Sequence, residues 1–129
     1  MKFEELKSIA LNHLNPQRSS KYCEYGGVAA SLVTDKGNVY SGVCIDVSSS
    51  MGFCAEHSAI AQMVTNGETR IMKIVAVVCG TNTVIPPCGR CREFIYQIDN
   101  RNIDTEVMVS ETKIVTIRQL LPFRWDGEN

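Results

Sequence analysis

A dense apolar run at 71–79, built around Ile74-Val75-Ala76-Val77-Val78, is the feature that most constrains the fold. Runs of this length that are rich in β-branched residues and lack polar alternation are typical of strands buried on both faces. Such a strand lies inside a sheet and needs a layer of helices on each side of it. The run therefore predicts a sheet sandwiched between helices.

The residues before this run predict a helix, a hairpin and a second helix. The first helix is amphipathic and ends at Asn15-Pro16. The turn residues Asp35-Lys36-Gly37-Asn38 separate two strand patterns at 28–33 and 39–47, which predicts a hairpin. Apolar residues then recur at helical spacing over 54–64.

The residues after the run predict a third helix over 88–98 and two more strands, over 106–109 and 113–115. Thr116 and Gln119 have the spacing of a capping box at the start of a last short helix. Helices and strands in this order indicate an α/β fold, a three-layer α/β/α sandwich with a mixed five-stranded sheet. The length of the chain, 129 residues, fits a single domain over 1–129.

The charge balance argues against two classes of partner. The net charge is −1, so the chain offers no general attraction for a nucleic-acid backbone or an anionic membrane. The charged, helical N-terminus lacks the apolar core of a signal peptide, and no apolar stretch is long enough to span a bilayer. We therefore expect a cytoplasmic protein with no nucleic-acid or membrane partner.

Six cysteines in such a chain are more consistent with metal ligands or buried thiols than with disulfides. Three of them fall in two motifs at predicted helix starts, Cys54-Ala55-Glu56 and Pro87-Cys88-Gly89-Arg90-Cys91. Cys88 and Cys91 are three residues apart, so on a helix they share a face and can bind one metal ion. With Cys54 they make three ligands, and a tetrahedral zinc ion (Zn²⁺) held by three ligands keeps one position open for catalysis.

Glu56 follows the first of these cysteines by two residues, which places it poorly as a ligand beside that sulfur. Zinc lowers the pKa of water from 15.7 to roughly 7 in favourable sites, which makes hydroxide available at neutral pH. A neighbouring carboxylate can accept the proton and deliver it to a ring nitrogen and then to a leaving amine. Glu56 is therefore a candidate proton carrier beside a metal-bound water, and a hydroxide with a proton carrier is what hydrolytic removal of a ring amine needs.

The two motifs together, Cys-Ala-Glu followed by Pro-Cys-x-x-Cys, resemble the signature of the cytidine deaminase superfamily. In zinc deaminases the metal activates water and a glutamate that is not a ligand carries protons. The resemblance therefore implies zinc as the cofactor and the same roles for the cysteines and Glu56.

A ligand set made only of cysteine is similar to that of the small homotetrameric cytidine deaminases, which act on free nucleosides. The resemblance thus implies a homotetramer whose substrate is cytidine, deoxycytidine or a cytosine nucleoside analogue. Within this group, Cys88-Gly89-Arg90-Cys91-Arg92 and Leu120-Leu121-Pro122 with Trp125 most resemble the blasticidin S deaminases.

The resemblance also implies positions for substrate contacts. Cytidine deaminases usually hold the ribose with an Asn-x-Glu pair, and the matching residues here are Cys44 and Asp46. A thiol cannot replace the amide, whereas Asp46 fits either a sugar hydroxyl or simple solvation at the strand end. The remaining predicted substrate contacts are Tyr25, Ala55, Pro86 and Trp125, of which Tyr25 and Trp125 also fit a subunit interface.

Three thiolates give zinc a net negative charge, and the family offsets this charge with nearby cations. Arg92 is the main candidate for that role, and we expect Arg90 and His57 close to the ligands as well. His57 stands where the tetrameric enzymes often have arginine. Because no ligand partner at suitable spacing is evident, we expect it beside the metal or at an interface.

Two other classes of function fit parts of this pattern. A non-catalytic zinc module would use the metal only to stabilise the fold, and a thiol–disulfide protein would use Cys88 and Cys91 as a redox pair. Glu56 favours the enzyme over the zinc module, because a structural site has no use for a carboxylate at an open metal position. A redox activity would survive chelation and be lost on alkylation of the pair.

Overall fold

The computed structural model describes residues 1–127. In this part of the chain the elements are, in order, α1 Phe3–His13, β1 Gln17–Ser20, β2 Cys23–Thr34, β3 Val39–Asp46, α2 Ala55–Thr65, β4 Ile71–Val78, β5 Thr83–Ile85, α3 Gly89–Ile98, a 3₁₀ helix Asn100–Asp104, β6 Glu106–Ser110, β7 Lys113–Thr116 and α4 Ile117–Leu120. Every predicted helix and strand is present, and the predicted capping box at Thr116 and Gln119 is formed.

The strands form one mixed sheet with a main path β1-β2-β4-β6-β7, in which β3 also pairs with β2 and β5 with β4. Neighbouring strands are antiparallel except for β4 and β6, which are parallel. The sheet therefore has seven strands rather than the predicted five. The two additional strands are short. β1 consists of four exposed residues, and β5 has only three residues.

Helices cover both faces of this sheet, as the apolar run predicts. Along β4, Val75 and Val77 belong to one core cluster with Phe3 and Leu6 of α1. Ile74, on the opposite face, belongs to a second cluster with residues of α2, α3 and α4, namely Ile60, Met63, Ile95 and Ile117. The three-layer α/β/α arrangement is confirmed, and the dense apolar run reflects a strand that meets apolar side chains on both faces.

The start of α2 is held against the sheet by a close approach to β3. A Cβ atom on Gly42 of β3 would lie 2.5 Å from the backbone nitrogen of Ala59 and 2.5 Å from Cβ of Ser58. Only a residue without a side chain allows the helix to approach this closely. The contact fixes the N-terminal end of α2, with Cys54 as its N-cap residue, beside β3.

The helices have the lengths expected for a small α/β domain. Within residues 1–127, none is long and apolar enough to cross a membrane.

Candidate metal centre and cleft

Three cysteine thiols meet where the N-termini of α2 and α3 converge. Cys54 and Cys88 are the N-cap residues of these helices, and Cys91 lies in the first turn of α3. The Sγ atom of Cys88 is 3.6 Å from that of Cys54 and 3.5 Å from that of Cys91. Sulfurs bound at about 2.3 Å to one tetrahedral zinc ion lie about 3.8 Å apart, so the spacing fits this ion.

His57 joins this cluster, contrary to the prediction that it has no ligand partner. The ligand atoms of Cys54, His57 and Cys91 all lie within 4.8 Å of one another, a group positioned to bind a metal ion. His57 Nδ1 is 3.4 Å from Cys91 Sγ. The sequence does carry a signal for this contact, because His57 follows Cys54 at the same three-residue spacing that separates Cys91 from Cys88.

The thiols differ in their readiness to ionise. Burial raises the pKa of Cys91, whose side chain is fully buried, and that of Cys54. Burial also acts to raise the pKa of Cys88, but hydrogen bonds from the Cys91 backbone N–H and the neighbouring thiols outweigh it and leave that pKa lowered. Metal binding therefore displaces protons from Cys54 and Cys91, and the positive ends of the two helices favour the resulting thiolates.

A cleft of about 380 Å³ opens beside the thiols. Its lining consists of Val28, Cys44, Asp46, Gly52, Phe53, Cys54, Ala55, Glu56, Ile85, Pro86, Cys88 and Arg90. Glu56 is only 5% exposed, and burial raises the pKa of its carboxyl above the usual range. The structure thus combines a metal site, a buried carboxyl and largely apolar walls in one cleft.

Four of the six predicted substrate contacts, Cys44, Asp46, Ala55 and Pro86, line this cleft. Tyr25 instead lines a neighbouring depression, which adjoins the cleft at Asp46. Trp125 is 74% exposed, and its Nε1 donates a hydrogen bond of 3.0 Å to Glu93 on α3. Among the described residues of one chain, neither of these aromatic side chains belongs to the cleft lining.

Cys44 and Asp46 form a linked pair on β3. The backbone N–H of Val28 donates to Cys44 Sγ at 3.2 Å, and this thiol donates to Asp46 Oδ2 at 3.6 Å. Burial raises the pKa of Cys44, so the thiol keeps its proton for this contact. The pair therefore presents a carboxylate oriented by a thiol at the positions matched to Asn-x-Glu.

The arginines occupy different positions around the cluster. Arg92 donates from Nε to the carbonyl oxygen of Pro87 at 2.8 Å, which ties α3 to the residue before Cys88. Arg90 lines the cleft. Burial of the His57 ring lowers the pKa of His57, and the positive charge of Arg90 lowers it further. Sequence reasoning did not anticipate Phe53 and Ile85 as cleft walls, because their positions depend on how β3 and β5 meet the helices.

Comparison with known proteins places this site in a family. Residues 3–107 match the family described as the cytidine and deoxycytidylate deaminase zinc-binding region. A cytidine deaminase of Sporosarcina psychrophila is 32% identical over 117 residues, which cover 87% of this chain and 85% of that protein. A cytidine deaminase of Halalkalibacterium halodurans is 29% identical over 119 residues, covering 87% and 88% of the two chains.

Solved structures support the fold. The crystal structure of cytidine deaminase from Mycobacterium leprae superposes with a TM-score of 0.78 at 24% identity, covering 95% of this chain and 98% of that one. That from Mycobacterium tuberculosis gives a TM-score of 0.79 at 22% identity, covering 97% and 98%. Because the family match spans most of the chain and includes the convergent thiols, this chain belongs to the cytidine and deoxycytidylate deaminase family and is a zinc-dependent hydrolase.

Proposed function

We propose that the protein hydrolyses the amino group from the cytosine ring of a free nucleoside, converting cytidine or deoxycytidine to the uracil nucleoside and ammonia. The observation that carries this proposal is the position of Glu56, a buried carboxyl in the cleft next to the thiol cluster. Relatives of nearly the same length that are named cytidine deaminases support the same substrate class.

Cys54, Cys88 and Cys91 are the proposed zinc ligands. Binding by all four donors, including His57, would fill the tetrahedral ion and turn the site into a purely structural one. Cys54 and Cys88 line the cleft, whereas His57 lines an adjoining depression with Arg90, Glu93 and Phe94 and is not part of the cleft lining. Coordination by the three thiolates would leave one position of the ion free, which is the arrangement that serves hydrolysis, and zinc held there would supply Lewis acidity and lower the pKa of water.

Glu56 is the proposed proton carrier. Its carboxylate can accept a proton from the attacking water and release it to the ring nitrogen. It can then accept the second proton, from the hydroxyl group of the addition product, and deliver it to the amine, which leaves as ammonia when the carbon–nitrogen bond breaks. Burial raises the pKa of Glu56, so its carboxyl holds a proton more readily than an exposed glutamate does. Val28, Phe53 and Ile85 give this cleft apolar walls, and a base seated between them would displace water and strengthen the electrostatic interactions inside it.

The backbone around the Cys-Ala-Glu and Pro-Cys-x-x-Cys motifs is proposed to bind the cytosine base of the substrate. Pro86 and Ala55 both line the cleft, and the Pro86 carbonyl is the proposed acceptor of a hydrogen bond from the substrate amine. Arg92 holds the adjacent Pro87 carbonyl, so it positions this segment.

The sugar subsite is the basis for a prediction about substrate range. Cys44 presents no amide to a ribose hydroxyl, so we expect altered sugars to be tolerated better than in a strict cytidine deaminase, and blasticidin S to be a substrate. The measurement is kcat/KM for cytidine, deoxycytidine, an arabinose analogue and blasticidin S. Cys44→Asn should shift the preference toward cytidine. A sharp preference for unmodified ribose that Cys44→Asn does not change would contradict this assignment.

Polynucleotides are not proposed as substrates, because the net charge of −1 gives no general attraction to a phosphate backbone. Six free cysteines, several of them needed as thiolates, suit the reducing cytoplasm that we propose as the location. Release of ammonia from single-stranded DNA at a rate similar to that from cytidine would overturn the proposal of a free-nucleoside enzyme.

The protein is proposed to act as a homotetramer. Phe123 and Trp125 are 92% and 74% exposed, and such large apolar side chains favour burial against a partner. A neighbouring subunit would also close the open cleft, and it is there that Tyr25 and Trp125 could contact substrate. Sedimentation equilibrium is expected to give four chains per particle. A monomer with full activity would refute this expectation.

A further inference from the structure

We infer that the depression containing Tyr25 is a second subsite beside the cleft, and that it binds a positively charged substituent on the sugar of the nucleoside. This Tyr25 depression has a volume of about 400 Å³. Its lining includes Arg18, Glu24, Tyr25, Gly27, Asp46 and Cys79. The inference deepens the proposed function and rests on it in one respect, the placement of the base and sugar in the cleft.

The cleft and the Tyr25 depression share a wall. Asp46 lines both spaces, and Val28 in the cleft directly follows Gly27 in the depression. Asp46 is also one of the predicted sugar contacts. A sugar that reaches Asp46 therefore has its substituents at the entrance of the depression, which is about as large as the cleft of about 380 Å³.

A β-bulge interrupts the sheet where the depression lies. Tyr25 pairs with Ile45 and Ala29 pairs with Val43, so β2 advances four residues while β3 advances two. Within this bulge Gly26 has a φ of +81°, and a Cβ atom there would lie 2.2 Å from the Asn15 carbonyl oxygen. Bulges interrupt a ladder and redirect side chains, and they are common beside active sites.

The charges at this place are not balanced within the chain. Glu24 of β2 and Asp46 of β3 are directly opposite each other in the strand pair. Like charges in such positions destabilise a sheet. Arg18 forms an ion pair with Glu24 through Nη2 and Oε1, so one cation faces two carboxylates. An unfavourable local arrangement of this kind is expected where a ligand, in this case a cation, completes the site.

The hydrogen-bond partners favour the same class of ligand. Arg18 Nη1 already donates to the carbonyl oxygens of Ser20 at 3.4 Å and Lys21 at 3.2 Å, and Nη2 is engaged by Glu24. In the part of the chain that the structure describes, no donor contacts Glu24 Oε2 or Asp46 Oδ1. The depression therefore offers acceptors, whereas its guanidinium donors are engaged.

An anionic substituent does not fit this balance. Lys21 does not line the Tyr25 depression, and its ammonium lies 4.9 Å from the centroid of the Tyr22 ring. A phosphate on the sugar would face Glu24 and Asp46 without a cation that is free to neutralise it. An ammonium or guanidinium group, which carries several N–H donors, suits the open carboxylate oxygens.

The test uses cytidine analogues that carry a guanidino or a ureido group in place of the hydroxyl group at the 3′ or the 5′ carbon. The two groups have nearly the same shape, but only the guanidino group is charged. The measurement is the ratio of kcat/KM for the guanidino analogue to that for the ureido analogue, with the zinc-loaded full chain at low salt. At one of the two positions we expect a ratio of roughly 3–10, the modest effect of exposed charges. In about 1 M salt, where the Debye length is about 3 Å, the ratio should approach one.

Variants of the native chain identify the groups responsible. Glu24→Gln and Asp46→Asn keep the size of each side chain, and each should bring the low-salt ratio closer to one. Glu5→Gln is the matched control, because Glu5 is an exposed glutamate on α1 outside both spaces, and it should keep the native ratio. Cytidine 5′-monophosphate should have a lower kcat/KM than cytidine. If Asp46→Asn folds poorly, Glu24→Gln and the salt series still decide.

Failure of the subsite can be distinguished from failure of the proposed function. Ratios near one at both positions, in a protein that deaminates cytidine, would overturn the subsite alone. The same holds for a ratio that neither carboxylate variant changes, or for a preference for the 5′-monophosphate over cytidine. If no cytosine nucleoside releases ammonia, the proposed function fails, and calorimetric binding of the same analogues tests the subsite. Equal affinities for the guanidino and ureido forms would then overturn it.

Discussion

Glu56→Gln is expected to lower kcat by about 10²–10⁴-fold, the range typical of losing a positioned general acid or base. Glutamine keeps the size of the side chain and its buried position but cannot accept and release a proton. Zinc content should remain at one ion per chain, because Glu56 is not a proposed ligand. The measurement is ammonia release with cytidine, alongside metal analysis of the same preparation.

A second measurement separates catalysis from stability. Burial raises the pKa of Glu56 in the folded protein above its value in the unfolded chain. At a pH above that unfolded-state value, ionisation of Glu56 therefore lowers the stability of the folded protein. Replacing the carboxyl by an amide removes that cost, and the thermal midpoint of Glu56→Gln at neutral pH should therefore not fall. Low activity in a well-folded variant would locate the defect in proton transfer.

Glu68 provides a matched control, because it is another buried glutamate, with 6% of its surface exposed. Its Oε2 accepts hydrogen bonds from Asn38 at 2.8 Å and from the Tyr40 hydroxyl at 2.6 Å, and it is not part of the cleft lining. Glu68→Gln is expected to keep kcat close to native. A similar loss of kcat in both variants, or near-native turnover by Glu56→Gln, would show that Glu56 has no special role.

The sequence predicts the layered fold well because the determining interactions are local or strongly apolar. Ile74 to Val78 form a run that only a doubly covered strand can satisfy, and α1 has a clear amphipathic pattern. The sequence does not predict β1 and β5. Gln17–Ser20 has no alternation of apolar and polar residues, and Thr83–Ile85 is too short to show one. Each pairs with one end of a longer strand, β1 with the first residues of β2 and β5 with the last residues of β4.

The site is predictable to the extent that it is encoded in short spacings. Cys88 and Cys91 share one helical face whatever the rest of the fold does, and Glu56 is tied to Cys54 by two residues. The contact of His57 with Cys91 needs α2 and α3 to meet at a particular angle. The position of Trp125 beside Glu93 depends on the path of the chain after α4, which no local pattern specifies.

Cys91→Ala is expected to abolish tight zinc binding and, with it, the activity. Cys91 lies between the other two thiols and His57, and two thiolates cannot hold a catalytic zinc ion as three do. The loss of zinc affinity should exceed roughly 10–100-fold, which is the effect typical of mutating a residue that only hydrogen-bonds to a metal ligand. Metal analysis after dialysis against a weak chelator measures it directly.

The thermal midpoint gives an independent readout, because a ligand that binds only the folded state stabilises it. Chelation should lower the midpoint of the native protein but leave that of Cys91→Ala nearly unchanged.

Cys79→Ala serves as the matched control. Cys79 is also a free thiol, but it lies at the end of β4 outside the cluster. This variant should retain both its zinc and its response to chelator. Because Cys91 is fully buried, Cys91→Ser repeats the test with a side chain of similar size. Full zinc occupancy in Cys91→Ala would show that Cys91 is not a required ligand and would contradict the assignment of three thiolates to the metal.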